Sequence, residues 1–231
     1  MTPDNLDTAT LELLENLRND FEISFQTKNI DYCEVFQKSK TAIIYYNPKI
    51  VNTESIAHEL LHIWLTRYNY SIGNHLFLST QGDKKLSKFL NKFLCDYITN
   101  CCVHFKMYPK FIEMGYSSSE FLTNSLAPKA SLKDVKEIKL KLFGLYNSKS
   151  VNLYIGCLIS ILADHAENDY IEHHAIFKAK DSELYSIITQ FWSKWVDFNI
   201  ENIDPIFNSD LELTDNLVEE FTKWGESKTV F

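Results

Sequence analysis

"TAIIYYNPKIVNTESIAHELLHIWL", residues 41–65, changes periodicity halfway along. Its first part, "TAIIYY" (41–46), is a run of β-branched and aromatic residues that Asn47-Pro48 closes, which predicts a strand. From Thr53 the apolar residues Ile56, Leu60, Ile63 and Trp64 recur at steps of three and four, the period of a helix. Asn52 or Thr53 can cap its start. Polar groups interrupt this apolar helix at three positions: His58, Glu59 and His62.

Upstream, "CEVFQ" (33–37) has strand character too, so residues 21–50 predict two or three short strands. The first twenty residues pattern as a helix, with Leu11, Leu13, Leu14 and Leu17 on one face and Thr8 or Thr10 as its cap. Downstream, helical periodicity dominates. Helices are expected near 53–68, 84–105, 108–115, 118–124, 131–145, 150–178, 182–198 and 210–225, with Pro109 read as a helix stop. Six Gly and five Pro are too few for a turn-rich β fold. The expected class is therefore α+β, mainly α. A core with a short N-terminal sheet (1–124) precedes a helical C-terminal extension (125–231) packed on it, with "SLAPKA" (125–130) as the seam.

A formal charge of −8 over 231 residues is no footprint for phosphate, so nucleic acid is not an expected partner. The longest apolar stretch, "VNLYIGCLISILA" (151–163), is too short to span a bilayer, and no membrane partner is expected. The acidic start lacks the basic and apolar regions of an export signal. Together with five cysteines and no CxxC pair, this gives a cytoplasmic expectation with reduced thiols.

On a helix, residues four apart stack on one face, so His58 and His62 can direct two imidazoles at a single ion. Zinc suits imidazole nitrogen, and its catalytic sites keep a fourth position for water. Glu59 lies about 100° further round the helix. There it can take a proton from that water without binding the ion.

A "HELLH" helix after a strand resembles the zincin metallopeptidases, over roughly residues 35–115. The pattern is closest to the gluzincin type. "HFKMYP" (104–109) is distantly similar to the ending of the second site helix in compact bacterial zincins of the ImmA/IrrE type. The resemblance implies a minimal zincin core and Zn²⁺-dependent hydrolysis of peptide or protein substrates. It makes His58 and His62 metal ligands and Glu59 the general base. A third ligand would come from "FLCDYITNCCVH" (93–104), where Asp96, Asn100 and His104 recur at i, i+4 and i+8. Asp96 would then bind the metal in place of the usual glutamate, and Asn100 would orient a ligand histidine from behind. His104 is the alternative third ligand. The metzincin pattern HExxHxxGxxH does not fit, since Leu65 and Tyr68 stand where it needs glycine and histidine.

Strand 41–46 is the expected sheet edge on which a peptide would be bound. A zincin-shaped sensor or interaction module without catalysis is the competing reading, and it has no need of Glu59. Tyr116 can stabilise an oxyanion or simply fill a core, and His75 falls in an expected loop between the site helices. "DHAENDYIEHH" (164–174) gathers Asp164, His165, Glu167, Asp169, Glu172, His173 and His174. His165, Asp169 and His173 can bind a metal, or the segment can be a polar helix face.

Overall fold

The structure, a computed structural model, describes residue 3 and residues 6–68, 72–166, 168–202 and 210–231, apart from the side chain of Asn74. It is α+β and mainly α, with a helical C-terminal region. Along the chain come α1 (Thr8–Arg18), β1 (Glu22–Thr27), β2 (Glu34–Lys38), β3 (Thr41–Tyr46), α2 (Thr53–Thr66), α3 (Ile72–Gln81), α4 (Leu86–Phe89), α5 (Lys92–Glu113), α6 (Leu132–Glu137), β4 (Lys141–Leu142), β5 (Leu145–Tyr146), α7 (Ser148–Leu162), α8 (Ile171–Lys180), α9 (Ser182–Asp197) and α10 (Asp210–Glu226). The residues group into two units. One comprises Met1–Tyr70 and Phe105–Leu126, the other Ser71–His104 and Ala127–Phe231. Residues 71–104 thus group with the C-terminal part of the chain, whereas the sequence placed them in the core.

In the first unit the strand order is β1-β3-β2. β3 runs parallel to β1 and antiparallel to β2. This corrects the expectation for residues 41–46, which form the central strand. The burial explains why: Ala42, Ile44 and Tyr46 are buried on one face while Ile43 and Tyr45 are half-covered on the other. Ile23 and Phe25 of β1 stand beside Ala42 and Ile44 and extend the apolar face. Helix α1 packs on β1, α2 packs on β2 and β3, and the two helices pack on each other.

Asn52 caps α2, its side chain accepting the Ser55 N–H at 3.0 Å. The cap of α1 is Asp7, which accepts the Thr10 N–H at 2.8 Å; neither Thr8 nor Thr10 takes that place. Helix α5 runs through Pro109 to Glu113. Proline removes one N–H and its ring crowds the preceding turn, yet the buried side chains of Met107 and Phe111 on either side hold the helical path. The helix ends at Gly115, where φ is +92°.

The second unit is built from helices. α10 packs on α3, α4 and α9, and α7 packs on α4, α8 and α9. Phe89, Tyr154, Phe177, Trp195, Phe221 and Trp224 are fully buried within it. The Phe89 and Trp224 rings meet edge to face with centroids 5.5 Å apart. Two expected helices are divided here. Residues 150–178 give α7 and α8, separated at 163–170, and 131–145 give only α6 before the β4–β5 hairpin. The hairpin turns on Phe143 and Gly144, both at positive φ (+51° and +83°).

Asp181 ties this unit together. It is buried, caps α9 through the Leu184 N–H at 2.8 Å, and accepts the Tyr146 hydroxyl at 2.6 Å and the Trp224 indole N–H at 3.3 Å. Asp181→Ala removes a cap and strands two buried donors. The expected loss is about 3–5 kcal/mol of stability. Asp181→Asn keeps an acceptor and costs about 1–2 kcal/mol. Urea denaturation of the pair measures this; equal small losses in both variants would refute the assignment.

Candidate metal centre

Burial of the α2 face brings the chemistry together. Ile56, Leu60 and Ile63 are fully buried and fix the rotation of the helix. His58 and Glu59 are thereby buried and His62 half-buried. The His58 and His62 rings lie with centroids 5.0 Å apart. His58, His62 and His104 each offer one ligand atom, and these atoms all lie within 4.8 Å of one another. They form the one such group of three metal-ligating side chains among the described residues, and they can hold a metal ion. A tetrahedral ion keeps its nitrogen ligands about 3.4 Å apart, so small ring rotations suffice to close the set.

Asp96, expected as the third ligand, is not part of the group. It lies on an exposed face of α5, with its carboxylate 2.6 Å from Lys92 Nζ. Asn100 is exposed as well. The reason is geometric. Eight residues of helix carry a side chain about 12 Å along the axis and about 80° around it. A stripe at i, i+4 and i+8 therefore bends away, and the alternative candidate, His104, is the residue that joins the histidine pair.

The surroundings of the three histidines are specific. The His58 ring donates to the backbone carbonyl of Phe121 and packs on the Phe121 ring, with centroids 5.0 Å apart. A ring nitrogen tied to a carbonyl fixes tautomer and orientation, as metal-binding imidazoles require. Burial, with the neighbouring His62 adding to it, pushes His58 down to about 3, and burial alone pushes His62 down to about 4. Both imidazoles are thus neutral, the form that binds metal. His165 donates to the backbone carbonyl of His104, and burial lowers it to about 4. Burial drives Glu59 up to about 8; the Val35 N–H that it accepts opposes this, and the charge of Glu34 adds to it. These carbonyl and N–H partners lie 24 to 63 residues away from their side chains in the chain, and no local pattern announces them.

Other residues singled out in the sequence have structural partners. The Tyr116 hydroxyl donates to Asp7 at 2.7 Å and bonds with Thr10, which makes it a buried strut. His75 lies inside α3, and its Nε2 is 2.6 Å from Asp215. The 164–174 segment forms no continuous helix face, because α8 begins only at Ile171. The Asp164 side chain is buried there and accepts the Tyr170 hydroxyl at 2.7 Å and the Asn168 amide at 2.8 Å, with Lys129 at 3.7 Å. His173 is buried against Tyr170, and His174 Nδ1 is 3.1 Å from the Tyr185 hydroxyl. Glu167 lies outside the described residues. No helix among the described residues is long and apolar enough to cross a membrane.

No family model, curated protein or solved structure matches this chain.

Proposed function

We propose that the protein is a zinc-dependent peptidase of zincin type. The observation that carries the reading is the grouping of His58, His62 and His104 on ligand-bearing helices, with Glu59 beside the first of them. Three imidazoles are a donor set that suits zinc and leaves a fourth position for water. When bound, the ion would polarise a scissile carbonyl and acidify a water. Each protein group then has a task. The three histidines hold the ion, while the Phe121 carbonyl orients the His58 ring. Glu59 accepts a proton from the attacking water and delivers it to the leaving amine. The buried surroundings of Glu59 exclude bulk water and make it a stronger base than an exposed glutamate.

With β3 central, β1 and β2 are the sheet edges, and β2 is the one taken for strand addition because it lies against Glu59. Val35 of β2 gives its N–H to Glu59. A peptide laid along β2 competes for that N–H and frees the carboxylate as substrate arrives.

The test is hydrolysis of a mixed peptide library, followed by mass spectrometry. Cleavage should appear with the zinc-loaded protein, vanish after chelation and return with stoichiometric zinc. Cleavage that survives complete metal removal overturns the reading.

A further inference from the structure

The tip of the β4–β5 hairpin exposes apolar surface that the fold does not use. Phe143 is 96 % exposed, and Leu142 and Leu145 beside it are 48 % and 43 % exposed. Phe143 also holds a left-handed φ of +51°, a conformation that bulky side chains rarely adopt and that favours glycine or asparagine. A strained aromatic residue in full contact with solvent stabilises nothing in this unit.

The base of the hairpin, by contrast, is firmly held. Ile138, Leu140 and Tyr146 are buried. The Tyr146 hydroxyl is fixed on Asp181, and its backbone pairs with Thr229 and Phe231. Lys180 Nζ donates to the carbonyls of Lys136 and Ile138. The tip is thus presented on a rigid support.

Its charge is equally distinctive. Residues 138–149, "IKLKLFGLYNSK", contain three lysines and no acid, in a chain of formal charge −8. Lys139, Lys141 and Lys149 are exposed and make no ion pair among the described residues, whereas Lys133 and Lys136 pair with Glu137 and Glu172. Lys141 lies over the Tyr146 ring, 4.8 Å from its centroid.

We propose that this hairpin is a docking tip for an anionic lipid surface, Phe143, Leu142 and Leu145 entering the headgroup boundary while Lys139, Lys141 and Lys149 meet the lipid charge. No helix among the described residues is long and apolar enough to cross a bilayer, and a surface contact needs none. The apolar area is a few hundred Å², well below what a stable protein pair buries, yet enough for interfacial insertion when cations assist. An exposed tip flanked by lysines without ion pairs also complements a negatively charged plane.

The experiment is co-sedimentation of the full chain with phosphatidylcholine vesicles and with phosphatidylcholine–phosphatidylglycerol vesicles. Binding is expected only to the anionic vesicles and should weaken with salt. Phe143→Asn creates an Asn-Gly turn suited to the observed backbone, so the hairpin is kept or strengthened. It should nevertheless weaken binding about tenfold, and Lys139→Glu with Lys141→Glu by more than that. Thermal unfolding of Phe143→Asn at or above the wild-type temperature separates a lost contact from a lost fold. Failure of the wild type to bind anionic vesicles overturns the proposal, as does binding unchanged in both variants. Self-association abolished by Phe143→Asn would overturn it in favour of a second copy of the chain.

Discussion

Zinc content is expected to fall from about one ion per chain to background in His58→Ala, His62→Ala and His104→Ala, and to stay at one in Asp96→Ala. Three-imidazole binding leaves no spare protein ligand, so deleting one ring costs about a third of the binding free energy. On the scale of protein zinc sites that is about 3–5 kcal/mol, a loss of roughly a hundredfold to several thousandfold in affinity. Asp96→Ala removes only an exposed carboxylate paired with Lys92, an interaction worth well under about 1 kcal/mol. Plasma mass spectrometry after dialysis against buffered zinc reads all four variants on one scale. Metal lost from Asp96→Ala but kept in His104→Ala would return the third position to the carboxylate. A wild type that takes up no metal would leave "HELLH" as an ordinary buried helix.

Glu59→Gln is expected to keep the metal and to lose hydrolysis by about 10²–10⁴-fold, the usual contribution of a placed general base. The substitution preserves size and an oxygen that can still accept the Val35 N–H, so the packing of α2 is undisturbed. What it removes is the capacity to take a proton. Turnover of a cleaved library peptide, compared at equal zinc occupancy, measures the effect. Loss of metal along with activity would make Glu59 a structural support of the site. Undiminished turnover would assign the proton transfer to another group.

The parts of this molecule legible in its sequence are those decided locally. The β-branched and aromatic run "TAIIYY" and the three-four spacing from Ile56 to Trp64 gave β3 and α2 directly, and Asn52 was one of two cap candidates. Properties that depend on distant residues were hidden. Nothing within 41–46 tells a central strand from an edge one, because neighbours β1 and β2 decide it. Proline at 109 reads as a stop only until burial on either side is known. In 131–145 the lysine and leucine spacing imitates a helix, and Gly144 was the one local sign of a turn. The choice between Asp96 and His104 was likewise not local. A helix of 3.6 residues per turn turns i and i+8 about 80° apart, so only one of the two can face the histidine pair, and the structure groups His104 with it.

One further consequence lies in the order of the chain. The first unit is assembled from residues 1–70 and 105–126, with 34 residues of the other unit between them. During synthesis at about 5–20 residues per second, its two parts emerge roughly 2–7 s apart. Through that interval the nascent chain carries α2 without the Phe121 ring and carbonyl that hold His58. His104 is made 42 residues after His62. A metal ion meeting the chain on the ribosome would find two of the three histidines before the third is made.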